Sequence, residues 1–171
     1  MKKVAVFGKP GSGKSTFSST LAANRGLPYQ SLDALLYDAD GQALADDEYR
    51  RLHQQLLDQP EWIIDGFAPF TAIDSFYQRL AAADTLVYID LPYATSYWLV
   101  SKRLVKGLLK TPQGWPKGSS ILKGSWQSYQ TLKRCPAFWN DDFLARLQQQ
   151  SQGKTLYVIR SLAELNRLAR S

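Results

Sequence analysis

Short apolar runs alternate with longer amphipathic stretches from one end of the chain to the other. The apolar runs are rich in β-branched and aromatic residues and are bounded by turn-forming residues, a pattern that predicts buried β-strands. The predicted strands are Lys3–Phe7, Pro28–Leu32, Trp62–Ile64, Thr85–Ile89 and Thr155–Ile159. Because a helical stretch separates each strand from the next, we predict an α/β fold with a parallel sheet covered by helices on both faces.

The amphipathic stretches carry apolar residues at three- and four-residue spacing, which predicts helices. The predicted helices are Lys14–Asn24, a stretch following Asp46, Ala72–Ala83, Tyr93–Leu109, a region interrupted at Pro136, and Leu162–Ala169. A Gly- and Pro-rich segment, Thr111–Gly124, is predicted to be a loop. The carboxyl ends of parallel strands share one edge of a sheet, so Gly8, Asp33, Asp65 and Asp90 are expected there, where ligands bind.

The size and composition of the chain are those of one globular domain. It has 171 residues, of which 44% are hydrophobic and 21% charged, and we predict a single domain spanning 1–171. A single cysteine, Cys135, excludes an internal disulfide, and we expect it to be buried. The single histidine, His53, is expected on the exposed face of its helix. No run of eighteen apolar residues occurs, and we expect a cytoplasmic protein that is a monomer or a weak homodimer.

The positive charge is concentrated in one segment. Between Leu91 and Asn140 there is no Asp or Glu, although the whole chain has a net charge of +6. The basic residues of this segment are Lys102, Arg103, Lys106, Lys110, Lys117, Lys123, Lys133 and Arg134. Such a one-sided segment is typical of binding to anions, either nucleotide phosphates or a nucleic-acid backbone. Most of its tryptophans (Trp98, Trp115, Trp126 and Trp139) are expected to be packed.

The strongest motif lies between the first strand and the first helix. The pattern G-x-x-x-x-G-K-[ST] is satisfied by Gly8, Lys9, Pro10, Gly11, Ser12, Gly13, Lys14 and Ser15. Glycines allow the backbone to curl so that its N–H groups point at a phosphate, and the helix N-terminus adds partial positive charge. We therefore predict that this loop binds ATP, with Lys14 on the β- and γ-phosphates, Ser15 on Mg²⁺ and Thr16 at the α-phosphate.

Aspartates at the same sheet edge provide the remaining candidate chemistry. Asp65 ends a strand beside the phosphate loop, where its carboxylate would hold a Mg²⁺-bound water. Asp33 is predicted to face the acceptor, as a base for a hydroxyl or as a binding group, or else to cap a helix over 34–37. Asp90, before Pro92, is predicted to be a turn or cap residue.

Beyond the phosphate loop, the sequence resembles the adenylate kinase-like superfamily. Trp62–Phe67 is similar to the D-G-F-P-R segment of adenylate kinases, and Ala83–Pro92 resembles the strand and D-x-P that follow it. A base-reading N-K-x-D, which GTPases need, is absent. The order of motifs is most similar to the adenylate kinase-related "topology modulation protein" group, through Leu32–Asp33, Trp62–Gly66 and Arg79–Asp84.

This resemblance implies a three-layer P-loop fold with five parallel strands in the order 2-3-1-4-5 and a basic lid at about 103–135. It also implies a kinase that uses ATP and Mg²⁺ and phosphorylates a small acceptor. Arg103 would act at the lid, Arg160 would pack on the adenine, and Arg79 would reach the anionic group of the acceptor or pair with a carboxylate.

The chain also departs from adenylate kinases. Asp65-Gly66-Phe67 continues as Ala68-Pro69-Phe70, without the arginine that those enzymes use on the monophosphate. Two other functions stay open at the level of sequence: a nucleic-acid-linked ATPase, suggested by basic residues interleaved with aromatic ones, and a nucleotide-binding regulator with little turnover.

Overall fold

The computed structural model describes residues 1–36, 44–109 and 121–171, the side chains of 106–109 and 121–123 excepted. Five strands form one parallel sheet. They are β1 (Lys3–Gly8), β2 (Tyr29–Ser31), β3 (Trp62–Asp65), β4 (Thr85–Ile89) and β5 (Thr155–Ile159). Their order across the sheet is β2-β3-β1-β4-β5, as predicted.

Helices connect the strands and lie on both faces of the sheet. The α-helices are α1 (Lys14–Arg25), α2 (Leu32–Leu35), α3 (Asp46–Leu57), α4 (Ile73–Ala82), α5 (Tyr93–Leu109), α6 (Ile121–Arg134), α7 (Asp141–Gln150) and α8 (Leu162–Ala169). Two short 3₁₀ helices, Phe70–Ala72 and Cys135–Ala137, precede α4 and α7. Among the described residues, no helix is both long enough and apolar enough to cross a membrane.

The central strand is buried on both sides, which explains why its sequence is continuously apolar. Val4 and Val6 of β1 face a cluster with Phe17 and Leu21 of α1. Ala5 and Phe7, which alternate with these valines along β1, belong to a second cluster on the other face of the sheet. The aromatic members of this cluster are Phe7, Phe67, Phe76, Tyr88, Phe138, Trp139 and Phe143. The β1 backbone is therefore held from both faces, directly below the loop that follows it.

Most of the predicted elements are confirmed, and the differences fall in the acid-free segment and after β2. The predicted loop Thr111–Gly124 is helical from Ile121 onward, while residues 110–120 lie outside the described chain. The short helix α2 begins at Leu32 and contains Asp33, so the predicted capping role of Asp33 is wrong and Ser31 precedes the helix instead. Trp139 and Cys135 are buried as expected, whereas Trp98 and Trp126 are 53% and 63% exposed. Trp115 lies outside the described residues.

The prediction that His53 is exposed is wrong. Its side chain is fully buried, stacked on Tyr49 at 5.8 Å between ring centroids. His53 lies four residues after Tyr49 and four before Leu57, so the three share the face of α3 that packs inward. Burial, helped by the positive charge of Arg79, lowers the pKa of His53 to about 4.

This burial makes the stability of the fold dependent on pH. The histidine pKa is about 4 when folded and about 6.5 when unfolded, so the unfolded chain takes up the proton first as the pH falls. Stability is therefore expected to be constant above about pH 6.5 and to fall towards pH 4, by about 1–2 kcal/mol at pH 5. Urea unfolding at pH 7.5 and pH 5 would measure this. His53→Phe should lose less stability than the wild type over the same interval; equal losses would contradict the assignment.

Candidate active site

The phosphate loop is shaped by very close approaches to the strand and helix beside it. β1 ends at Gly8, where an added Cβ atom would lie 2.2 Å from the carbonyl oxygen of Ile89 in β4. Only glycine fits this position, because any side chain would collide with β4 where the phosphate loop leaves the sheet. Ser15 and Thr16 lie exposed at the start of α1, on the side of the loop where the motif predicts phosphates.

Lys14 lies at the centre of the site. Its Nζ donates to the carbonyl oxygen of Lys9 at 2.8 Å, which folds the side chain back over the loop. Burial lowers the pKa of Lys14, and the negative charges of Asp33 and Asp65 act in the opposite direction. The ammonium group is therefore bound to the loop and lies within electrostatic reach of two carboxylates, neither of which forms an ion pair with it within 4 Å.

Asp65 is placed by sheet register. β3 is hydrogen-bonded to β1 so that Asp65 pairs with Val6, two residues before the loop begins. The side chain is 1% exposed, and neither carboxylate oxygen makes a hydrogen bond of normal geometry with a described residue. Burial raises the pKa of Asp65, while the Ser15 hydroxyl and Lys14 lower it. A buried carboxylate near a serine hydroxyl offers oxygen ligands of the kind that Mg²⁺ takes, directly or through water.

A metal ion at Ser15 and Asp65 would need phosphates and water for the rest of its coordination. Among the described residues, no three His, Cys, Asp or Glu side chains gather as a cage of metal ligands. Ser15 and Asp65 fit the usual arrangement at a P-loop, in which Mg²⁺ keeps several waters and binds nucleotide oxygens.

Two residues next to Asp65 were missed from the sequence. Tyr29 and Ser31 belong to β2, and Ser31 pairs with Asp65 across the sheet. Burial and the charge of Asp65 raise the pKa of Tyr29 to about 12, and the hydroxyls of Ser15 and Ser31 lower it. The available signal was positional and concerned Ser31, which is the last residue of β2, the strand next to β3, because parallel strands end at the same edge.

Asp33 and Arg103 complete the group around Lys14. Asp33 is exposed in the first turn of α2, and its charge acts on both Lys14 and Arg103. Arg103 projects from α5 and donates from Nη2 to the Ser128 hydroxyl of α6 at 2.8 Å. Burial lowers the pKa of Arg103, and Asp33 opposes that shift. Asp33 and Arg103 belong to separate helices, α2 and α5, yet both lie within electrostatic reach of the same lysine.

The other two predicted arginines lie at different depths. Arg79 is fully buried beneath Gly66, to whose carbonyl oxygen its Nη2 donates at 2.7 Å. Burial lowers its pKa to about 10, and Tyr49 and Asp65 act in the opposite direction. Arg160 follows β5 and is exposed, with its main-chain N–H donating to the Glu164 carboxylate. Contact of Arg79 with an acceptor and of Arg160 with adenine stay predictions.

Asp90 has a partner that the sequence did not indicate. Its carboxylate forms an ion pair with the ammonium of Lys9, inside the phosphate loop. Lys9 is only 3% exposed, so it is a buried cation, and within the described parts of the chain its carboxylate partner is Asp90. Asp90 thus belongs to the surroundings of the loop as well as to the turn before α5.

Comparison with known proteins finds similarity to solved structures only. No family model matches the chain, and no curated protein matches it by sequence. Solved structures similar to it include a shikimate kinase from Bacteroides thetaiotaomicron, with 12% identity over 98% of this chain and 93% of that one, at a TM-score of 0.56. A shikimate kinase from Acinetobacter baumannii in complex with shikimate is 12% identical, with 99% and 89% covered and a TM-score of 0.58. A gluconokinase from Sinorhizobium meliloti 1021 is 18% identical, with 98% and 89% covered and a TM-score of 0.50.

At these identities the likeness concerns the fold. The chain has the five-stranded parallel P-loop architecture of these enzymes over nearly its whole length. Its site residues must be judged from their own geometry.

Proposed function

We propose that the protein is an ATP-dependent phosphotransferase that moves the γ-phosphoryl group of ATP to a small acceptor. The observation that carries this proposal is the convergence of four chemically suitable side chains from four separate elements. Asp33, Asp65 and Arg103 all act electrostatically on Lys14, the lysine of the phosphate loop. Phosphoryl transfer needs positioning and positive charge around the moving group, with an acidic residue towards the nucleophile, and this arrangement supplies both.

On the nucleotide side, the loop from Gly8 to Gly13 would hold the phosphates with its N–H groups. Lys14 would leave the Lys9 carbonyl and donate to the β- and γ-phosphates. Ser15 and Asp65 would hold Mg²⁺, Asp65 through a water. When bound, Mg²⁺ supplies neutralising charge on the phosphate oxygens. Arg160 is proposed to pack against the adenine, since it lies exposed just past β5.

On the acceptor side, we assign Asp33 the role of base or binding group. It is exposed and close enough to Lys14 and Arg103 to influence both, so an acceptor hydroxyl held there would lie near the lysine that we assign to the phosphates. Arg103 would stabilise the charge of the transferring group, together with the lid predicted at 103–135. For Arg79, the hydrogen bond to Gly66 supports a role in holding the backbone after Asp65; direct contact with an anionic acceptor would require the side chain to become accessible.

Two acceptor classes follow from different arguments. The motif order resembles adenylate kinases and the topology modulation protein group, which favours a nucleoside monophosphate. The structural neighbours carry the names of a shikimate kinase and a gluconokinase, which favours a small hydroxylated acid. The absence of the monophosphate arginine after Phe67 and the position of Asp33 support the second class.

Transfer from ATP in the presence of Mg²⁺ should be measured against a panel of nucleoside monophosphates, nucleosides and hydroxy acids, including shikimate and gluconate. We expect phosphorylation of one class well above hydrolysis by water. Lys14→Ala provides the blank, because contaminating kinases would be unaffected by it. Slow hydrolysis with no acceptor anywhere on the panel would contradict the proposal.

If no acceptor is found, a second candidate function, a nucleic-acid-linked ATPase, has structural support. Trp98 and Trp126 are exposed, and the Lys102 ammonium lies 4.6 Å from the Trp98 ring centroid. Exposed rings with cations are suited to stacking bases and pairing phosphates of single-stranded nucleic acid. A gel shift that weakens steeply between low and physiological salt would support a nucleic-acid-linked ATPase. ATP binding without phosphoryl transfer and without nucleic-acid binding would indicate a nucleotide-binding regulator.

A further inference from the structure

The Lys9 side chain links the phosphate loop to the element that follows β4. Its ammonium pairs with Asp90, one residue past the end of β4. The same Nζ lies 4.6 Å from the ring centroid of Tyr93, the first residue of α5. A nearly inaccessible cation is thus held by a carboxylate and an aromatic face, which together offset the cost of removing it from water.

The loop touches α5 again at Gly11. A Cβ atom added there would lie 2.5 Å from Val100 Cγ2 and 2.8 Å from the Ser96 carbonyl oxygen. Gly11 also has φ +71, a conformation that side chains disfavour. The loop backbone at Gly11 is therefore packed closely against the first half of α5, where it meets the Val100 side chain and the Ser96 carbonyl oxygen.

These contacts connect the phosphate loop, which carries Lys14, with the helix that carries Arg103. The carbonyl oxygen of Lys9 receives the Lys14 ammonium, so displacement of Lys9 would displace the resting place of that lysine. α5 continues from Tyr93 through Val100 to Arg103, which is joined to α6 through Ser128. The helix α5 therefore contacts the phosphate loop through Tyr93, Ser96 and Val100. The same helix carries Arg103, the arginine that we assign to the lid.

We propose that Lys9 and Asp90 are positioning residues whose ion pair, covered by Tyr93, fixes the phosphate loop against α5 in its nucleotide-binding shape. This role rests on the proposed function only in that the loop binds ATP; it does not depend on which acceptor is used. The pair holds the loop from outside, and neither side chain needs to touch the nucleotide.

Removing one partner has a different consequence from removing both. In Asp90→Asn the Lys9 ammonium is stranded in a buried position, and the loop must distort to let it reach water. In Lys9→Met/Asp90→Asn no buried charge is left, and the methionine chain fills similar space. Asp90→Glu keeps the charge and provides the conservative replacement.

The test is the ATP dissociation constant in Mg²⁺, measured by calorimetry well below the melting temperature of each variant. Asp90→Asn should weaken ATP binding about tenfold, and the double variant should recover most of that loss. Asp90→Glu should bind within about threefold of the wild type. Lys2→Met is the matched control, because Lys2 forms an exposed ion pair with Glu61 far from the loop.

Each result decides the proposal. Wild-type affinity in folded Asp90→Asn would overturn it, as would a double variant that is weaker than Asp90→Asn. Melting temperatures lowered without any change in affinity would also overturn it, by showing a purely structural pair. Failure of the acceptor panel with the affinity pattern intact would count against the proposed function and leave the positioning role standing. A wild-type chain that does not bind ATP would overturn both.

Discussion

Replacing Lys14 with alanine is expected to lower phosphoryl transfer by about a hundredfold to a thousandfold. This ammonium is the cation nearest the predicted β- and γ-phosphates, and a donor aimed at developing charge in a water-poor site supplies about 3–4 kcal/mol. The structure adds a reason for the size of the effect. Lys14 donates to the Lys9 carbonyl oxygen and lies within electrostatic reach of Asp33 and Asp65, so its loss also removes a cation that offsets these two negative charges.

The measurement is the steady-state rate with ATP and Mg²⁺, together with ATP affinity by calorimetry. We expect affinity to fall as well, because the same lysine binds ground-state phosphates. Lys2→Ala serves as the control, since Lys2 is exposed and paired with Glu61. A Lys14→Ala enzyme that keeps more than a tenth of wild-type turnover would show that the reaction is not centred on this loop.

Replacing Asp65 with asparagine should separate turnover from binding. The change keeps the shape of a side chain that is 1% exposed, so the fold should tolerate it. What is lost is the negative charge that orients a Mg²⁺-bound water, and residues in that outer position typically contribute about 10–100-fold. We therefore expect kcat to fall by about this factor while the ATP dissociation constant changes by less than about threefold.

Titrating Mg²⁺ sharpens the test. The variant should need more Mg²⁺ for half-maximal activity than the wild type, because one outer ligand has lost its charge. Asp142→Asn, at an exposed position in the first turn of α7, should behave as the wild type does. Equal losses of kcat and ATP affinity would refute the metal-water role of Asp65.

The sequence predicts that Lys14 and Asp65 lie at the same edge of the sheet, because each position follows from a short stretch of contiguous residues. The residues from Gly8 to Ser15 are contiguous, so the loop needs only a strand before it and a helix after it. Asp65 ends an apolar run, and the carboxyl ends of parallel strands share an edge whatever the detailed packing is. Periodicity was therefore enough for the fold class, and the order of motifs, through the family resemblance, was enough for the strand order; ATP binding by the loop stays a prediction.

His53 and Arg79 show where this reasoning stops. Both are polar residues in amphipathic helices, and the sequence leaves them free to face water or ligand. In the structure both are fully buried, because α3 and α4 pack together on one side of the sheet. Burial depends on the rotation of each helix about its axis, which the pattern of apolar positions sets only coarsely.

The sequence by itself determined the parallel sheet and the phosphate loop, since these depend on contiguous residues, and the order of the strands followed from the family resemblance. Only the tertiary structure decided that Lys9 pairs with Asp90, 81 residues away, and that Arg103 bonds to Ser128, 25 residues away. Those contacts are made between side chains on separate elements, and they depend on distances of a few ångströms between packed helices and loops. No periodicity in the chain encodes such distances, because they arise from the way the whole core fills its space.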